Sequence, residues 1–237
     1  MSADLRFPRS AARQTVRATL VAACVAMAAC STPPVPDWSL NASDAAQRAM
    51  KAQLQGATKV ADLEWGKARS EAAQTGQPAL MARLALMRCA LQVASLDWED
   101  CSGYTAYAPD AAPAEQAYHR YLHGALQPAD VALLPTQHQG VGATLAQGGA
   151  VTAAQLQAIP DATARLVAAG AALRAGRTPV ESLWPAVDAT ATSQGWRRPL
   201  MAWMELERRR LDAAGATDAA QALARRLAVL QGAAPKP

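Results

Sequence analysis

Residues 78–98 read PALMARLALMRCALQVASLDW, and this stretch decides the fold. Pro78 suits a first helical turn, where the N–H it lacks would have no partner anyway. Leu80, Leu84, Met87, Leu91 and Trp98 then recur at spacings of three, four and seven, which places them on one helical stripe. The segment is apolar enough to raise the question of a membrane span. Arg83 and Arg88 would then lie mid-bilayer at about 2.5–3.5 kcal/mol each, so the stretch reads instead as a buried central helix.

Working outward, start and stop signals divide the neighbouring chain into helices of ordinary length. Ser43 is placed to cap a helix that runs to Gln55 and ends at Gly56. A second spans Thr58 to Thr75, with Gly76 just beyond it. After a loop over 99–112, Pro113 opens a helix to Leu126. Residues 135–150 are rich in Gly and Gln and read as a loop between two halves. Thr152 with Gln155, and Thr178 with Glu181, have the spacing of capping boxes. The closing elements run from Arg197 to Ala214 and from Thr217 to Leu230, the last with Ala220, Leu223, Leu227 and Leu230 on one face.

Composition agrees. Half of the chain is hydrophobic (51%), much of it alanine and leucine, with Phe7 the single phenylalanine and six tryptophans carrying the aromatic bulk. These are strong helix formers, and the β-branched and aromatic runs of strands are scarce. The expected class is all-α, built of antiparallel helical hairpins, because short turns between helices force neighbours to run antiparallel. Trp203, Leu206, Ala219 and Leu223, with Gly215 near the turn, fall at spacings that resemble the tetratricopeptide repeat. Trp65 with Gly76 and Trp184 with Gly195 repeat the tryptophan–glycine interval. The resemblance is degenerate, since Arg69, Glu207 and Arg226 stand where small residues belong. It implies repeat-like stacking of hairpins and a protein-interaction role.

The first thirty residues read differently. Arg6 to Arg17 make a basic region and Ala18 to Ala29 a short apolar run, well below the roughly 20 residues that span a bilayer, so residues 1–29 read as a secretory signal peptide. Met27-Ala28-Ala29-Cys30 resembles the lipobox of bacterial lipoproteins. That resemblance implies acylation of Cys30, a mature chain beginning there, and sorting to the outer membrane because Ser31 rather than aspartate follows. Val21-Ala22-Ala23-Cys24 offers an alternative with Cys24 as anchor, but it leaves only about six apolar residues before the cysteine, short of the usual 7–15. Residues 30–42, with Pro33, Pro34 and Pro36, then form a stiff tether. Beyond it lie an N-terminal helical part (43–134), the Gly/Gln-rich loop (135–150) and C-terminal hairpins (151–232).

Four of the 23 basic residues (Arg6, Arg9, Arg13, Arg17) and one of the 19 acidic ones (Asp4) precede Cys30, leaving 19 against 18. A chain so balanced has no electrostatic footprint for nucleic acid. With Cys24 in the leader and Cys30 acylated, Cys89 and Cys101 remain. An even pair in an oxidising compartment reads as a disulfide, whose short loop contributes about 3 kcal/mol. Free buried thiols are one alternative. A zinc pair is the other, although further ligands at the usual motif spacing are lacking.

Among residues that could carry chemistry, His119 and His123 lie four apart on one helical face, with Glu115 a turn earlier. Two such imidazoles could share a metal, but Arg120 occupies the place of the general base in the His-Glu-x-x-His motif and no third ligand is evident. No metal and no cofactor are expected. Asp97, Glu99 and Asp100 cluster around Trp98 as a solvated helix end. Arg197, Arg198, Arg208, Arg209, Arg210, Arg225 and Arg226 make the C-terminal segment basic, a candidate surface for anionic headgroups or acidic partners. Trp203 is expected in the core and Arg208 to Arg210 in solvent. The sequence thus points to a periplasm-facing outer-membrane lipoprotein, held by membrane lipid at Cys30 and serving as a scaffold or adaptor for envelope proteins. The alternative is an envelope hydrolase or ligand-binding lipoprotein that uses the 99–150 region.

Overall fold

Helix propensity governs local structure throughout residues 35–232, which are the residues described by the computed structural model. The leader, Cys24, Cys30, Ser31, Pro33 and Pro34 lie outside them. Among the described residues the class is all-α, with eleven α-helices, two 3-10 segments and no strand. None of these helices is long and apolar enough to cross a membrane.

The chain opens with a hairpin of α1 (Asp37–Gln55) and α2 (Thr58–Ala73). Helix α1 starts six residues before the expected cap at Ser43. Pro36 precedes it and Asp37 lies in its first turn, where a negative charge meets the positive end of the helix dipole. Residues 37–42 of the expected tether are therefore helical. The turn is made by Gly56, whose φ of +81° an L side chain rarely adopts. Alanines at 45, 46, 49, 61 and 68 let the two backbones approach closely around Trp65, whose indole N–H donates to Gln53 Oε1 at 2.8 Å.

Helix α3 (Pro78–Ala94) is the central element, but its end and its buried stripe differ from expectation. Ser95 caps it, Leu96 takes a left-handed φ of +56°, and the Asp97 N–H turns back to the Gln92 carbonyl at 2.9 Å. Such a left-handed cap is usually marked by glycine, and here a leucine occupies it. Trp98 consequently lies past the helix and is exposed. The face that enters the core is Ala82, Leu86, Cys89, Ala90, Val93 and Ala94, joined by Leu91, while Leu80, Leu84 and Met87 are half-buried.

Next come α4 (Ser102–Thr105), a 3-10 turn at Ala108–Asp110, α5 (Pro113–Leu122) and a 3-10 segment at Pro128–Leu133. Helix α5 stops four residues before the expected Leu126, at the turn carrying Gly124. Residues 135–150, expected as a loop, are mostly helix α6 (Thr136–Ala146). Its Gly142 is not a breaker but a contact point, since a Cβ there would lie 2.6 Å from Leu134 Cδ1. Helix α7 (Ala153–Gln157) bears the expected capping box, with the Gln155 N–H donating to Thr152 Oγ1 and the Thr152 N–H to Gln155 Oε1. The second expected box does not form. Thr178 is buried and its Oγ1 accepts from the Val151 N–H at 3.0 Å, so Pro179 rather than Thr178 caps the helix that follows.

The core is closed by α8 (Ala162–Arg174), α9 (Val180–Gln194), α10 (Arg197–Ala213) and α11 (Thr217–Leu230). Helix α8 crosses α3 with Gly170 against Val93, so close that a Cβ would lie 2.2 Å from the Val93 carbonyl oxygen. Trp203 of α10 is fully buried, as expected, and its indole N–H donates to the Ala94 carbonyl at 3.0 Å. Ala220, Leu223 and Leu227 of α11 form its buried face. Contacts of α3 with α8 and of α10 with α1 close the helices on one another, so stacking of sequence neighbours alone does not describe the arrangement.

Candidate functional site

The end of α3, the loop to α4 and the inner face of α5 bring the most reactive side chains together. Cys89, on the buried face of α3, is joined to Cys101, with their Cα atoms 5.3 Å apart. Cys101 is itself left-handed, at a φ of +47°, which a non-glycine residue keeps only where the surroundings enforce it. Its carbonyl accepts from the Tyr104 N–H at 2.7 Å, which starts α4 and swings the Tyr104 ring toward α5. That ring stacks on His119 with centroids 4.5 Å apart, and His119 in turn lies 4.3 Å from the His123 ring.

Helical spacing puts the two imidazoles on one face, as expected. Folding then adds a third group that the sequence does not reveal: Cys101 Sγ and a ring nitrogen of each histidine all lie within 4.8 Å of one another. Burial, then His123 and nearby arginines, lowers the His119 pKa to about 4, so its ring is neutral at physiological pH. His123 is shifted down as well, by burial and then Arg174. Its Nε2 is buried with no hydrogen-bond partner among the described residues.

Glu115, the other candidate ligand on this helix, turns elsewhere. Its Oε1 accepts two hydrogen bonds from Arg83, at 2.7 and 3.1 Å. Arg120 reaches away to buried Asp130, with Nε donating to Oδ2 at 2.8 Å, which lowers the Asp130 pKa. The acidic cluster after α3 is dispersed among partners. Asp97 pairs with Arg198 at 2.9 Å, Glu99 accepts from Gln92 at 3.0 Å, and Asp100 lies 3.7 Å from Arg174. Arg174 also sits over the Trp98 ring, 5.6 Å from its centroid.

A second feature is a cleft of about 710 Å³ where α2 and α3 diverge. Trp65, Met81 and Leu84 supply apolar lining, Arg69 and Arg88 stand among the polar groups, and one end reaches Cys101. Arg88 is paired with Asp62 at 2.8 Å, while Arg69 has no carboxylate within ion-pair distance among the described residues.

The C-terminal arginines do not make the free basic face their number suggests. Arg208 lies between Glu205 and Asp212, Arg209 pairs with Glu205, and Arg210 with buried Glu207 at 2.7 Å. Arg226 answers Asp188 of α9, and Arg198 answers Asp97. Hydrogen bonding from Arg208, and then Arg209, holds the Glu205 carboxyl down to about 2 against the opposing effect of burial. Only Arg209 of the triplet is exposed while Arg208 and Arg210 are half-buried, so the expectation of three solvated arginines is corrected. Among the described residues, Arg197 and Arg225 alone of the seven lack an acidic partner. The acids that pair the triplet lie three or four positions away on the same helix and were legible in the sequence. Those on α9 and after α3 were not.

Compared with protein families, with curated proteins and with solved structures, the chain matches none.

Proposed function

We propose that this chain is a lipid-anchored scaffold or adaptor of the bacterial cell envelope, held by Cys30 at the periplasmic face of the outer membrane. In this reading its helical body receives a segment of another envelope protein. The observation that carries the reading is the cleft between α2 and α3, with its apolar lining and an Arg69 that has no acidic partner among the described residues. Such a surface suits an apolar partner segment bearing one acidic residue, since a buried apolar anchor supplies affinity and a charge at the rim fixes orientation. The anchor rests on the lipobox-like Met27-Ala28-Ala29-Cys30 and the prolines after it. Because α1 begins at Asp37, the tether is only a few residues long and would hold the cleft close to the membrane.

Two measurements test it. Cys30→Ser should move the protein from the membrane to the soluble fraction while Cys24→Ser leaves it in place; the reverse would shift the anchor to Cys24. Crosslinking of the intact lipoprotein in its native membrane should recover an envelope protein; Arg69→Glu should abolish that recovery without lowering the melting temperature, and Leu84→Glu, which also loosens packing on the core beside Trp65, should abolish it too. Unchanged recovery in both variants would end the cleft reading. The alternative, a ligand-binding lipoprotein using the 99–150 region, has a specific observation in its favour: the convergence of Cys101, His119 and His123.

A further inference from the structure

We propose that Cys89, Cys101, His119 and His123 form a two-thiolate, two-imidazole site for a zinc-type cation in the dithiol state of the protein, and that joining the two cysteines expels the metal. This does not depend on the scaffold reading, since metal binding is measured on the purified chain alone.

The geometry comes first. Four ligands placed tetrahedrally at zinc–sulfur and zinc–nitrogen distances of about 2.3 and 2.0 Å lie roughly 3.3–3.8 Å from one another. Cys101 Sγ and the two ring nitrogens, all within 4.8 Å of one another, need only a small inward adjustment to reach that figure. Cys89 is not one of that trio; its sulfur is bonded to that of Cys101, and once freed its side chain must turn toward the histidines to take the fourth position. Once reduced, the two sulfurs separate to about their van der Waals contact, which is also the sulfur–sulfur edge of such a tetrahedron.

A disulfide packed beside stacked aromatic rings would account for burial and stacking, but not for the His123 Nε2. That atom is buried and has no partner among the described residues, and buried polar atoms are normally satisfied. We assign it to a cation held by Cys101 and His119, since a ring nitrogen of His123 lies in range of both. The surroundings suit a ligand shell. Tyr104 fixes the His119 ring by stacking, and Arg174 places positive charge near thiolates that must form. A shallow depression lined by Tyr104, Thr105, Pro109, Gln116 and His119 leaves the His119 side of the site open to solvent. The donor set of two soft thiolates and two imidazoles selects zinc over calcium or magnesium, and cobalt(II) is its spectroscopic substitute.

The redox step balances simply. A dithiol reductant gives two electrons and two protons to the Cys89–Cys101 bond, yielding two thiols and its own disulfide. Metal binding then releases the two thiol protons, forms two S–metal and two N–metal bonds, and leaves the site electrically neutral. In the reverse direction a disulfide oxidant takes the electron pair, the S–S bond re-forms and the cation leaves.

The test uses the full chain in detergent, with cobalt(II) and then zinc added anaerobically. Reduced protein should bind one metal per chain, with the sulfur-to-cobalt charge-transfer and tetrahedral d–d bands of a thiolate site that zinc displaces. His119→Gln and His123→Gln should each weaken cobalt binding by about 10- to 100-fold. Oxidised protein should bind none. Absence of the bands in reduced protein with unchanged helical circular dichroism would overturn the proposal, as would identical bands in both histidine variants or stoichiometric binding by the oxidised chain. If the variants lose helicity, the reduced wild type decides alone. Zinc should slow alkylation of Cys89 and Cys101 by at least about tenfold, and no protection would sink the idea.

Discussion

The Trp203 indole donates a hydrogen bond to the Ala94 carbonyl at 3.0 Å, tying α10 to the last turn of α3 in a contact from which water is excluded. The bond answers a carbonyl that the end of a helix would otherwise leave without a donor. Trp203→Phe should therefore lower stability by about 1–3 kcal/mol, since the ring is largely kept but a buried acceptor is stranded. Trp203→Ala should cost about 3–5 kcal/mol by leaving a cavity. Urea denaturation of the two variants separates the terms, and a Trp203→Phe variant as stable as the wild type would mean that the hydrogen bond contributes nothing of its own.

Two glycines on different helices should respond oppositely to the same added methyl group. At Gly170 a Cβ would lie 2.2 Å from the Val93 carbonyl oxygen, so Gly170→Ala must push α8 off α3 and should cost about 1–3 kcal/mol or more. Gly140 is in α6 with open space around it, and Gly140→Ala should stabilise by about 0.5–1 kcal/mol through helix propensity. Thermal melts of both variants check the pair. Similar shifts would mean that α3 and α8 are not in close contact.

Charge reversal along the arginine triplet should be uneven. Arg209 is exposed, with 71% of its side chain accessible, so Arg209→Glu should change stability by less than about 0.5 kcal/mol. Arg210 partners Glu207, only 6% accessible, and Arg210→Glu leaves that carboxylate buried beside a like charge. A loss of about 1–3 kcal/mol is expected. Equal melting temperatures for the two variants would contradict the pairing.

Stability should also fall with acid. Burial lowers the His138 pKa to about 4, and the Tyr121 hydroxyl and the Nδ1 of His138 lie 3.3 Å apart. The unfolded chain takes up that proton near pH 6.5 and the folded chain does not, so stability declines as pH drops from about 6.5 toward 4. The slope is at most about 1.4 kcal/mol per pH unit for this one proton. Urea midpoints at pH 7, 5.5 and 4.5 should show it, and His138→Gln should reduce it, leaving the part that His119 and His123, also shifted down, contribute. An unchanged slope in that variant would assign the effect to other groups.

The all-helical class and the hairpin turns were legible because alanine and leucine dominate and Gly56, Gly76, Gly195 and Gly215 take left-handed backbone at the turns. The end of α3 was not, because Leu96 does there what glycine usually does. Helix α6 was hidden for the opposite reason: Gly142 counted as a breaker although it serves close packing. The candidate site was half legible. The His119–His123 pair follows from helical periodicity, but Cys101 reaches it only through a left-handed turn that no spacing rule anticipates.

The pairing of the C-terminal arginines has a consequence away from the surface. Charges answered within a few ångströms make a row of short dipoles, and the potential of such a row decays faster than that of a net charge, within the roughly 8 Å over which physiological salt screens. Only Arg197 and Arg225, unpaired among the described residues, project a field of their own. An anionic surface approaching from this side is scarcely steered, so encounter rates there should change little with ionic strength, and whatever binds must be recognised by shape after contact.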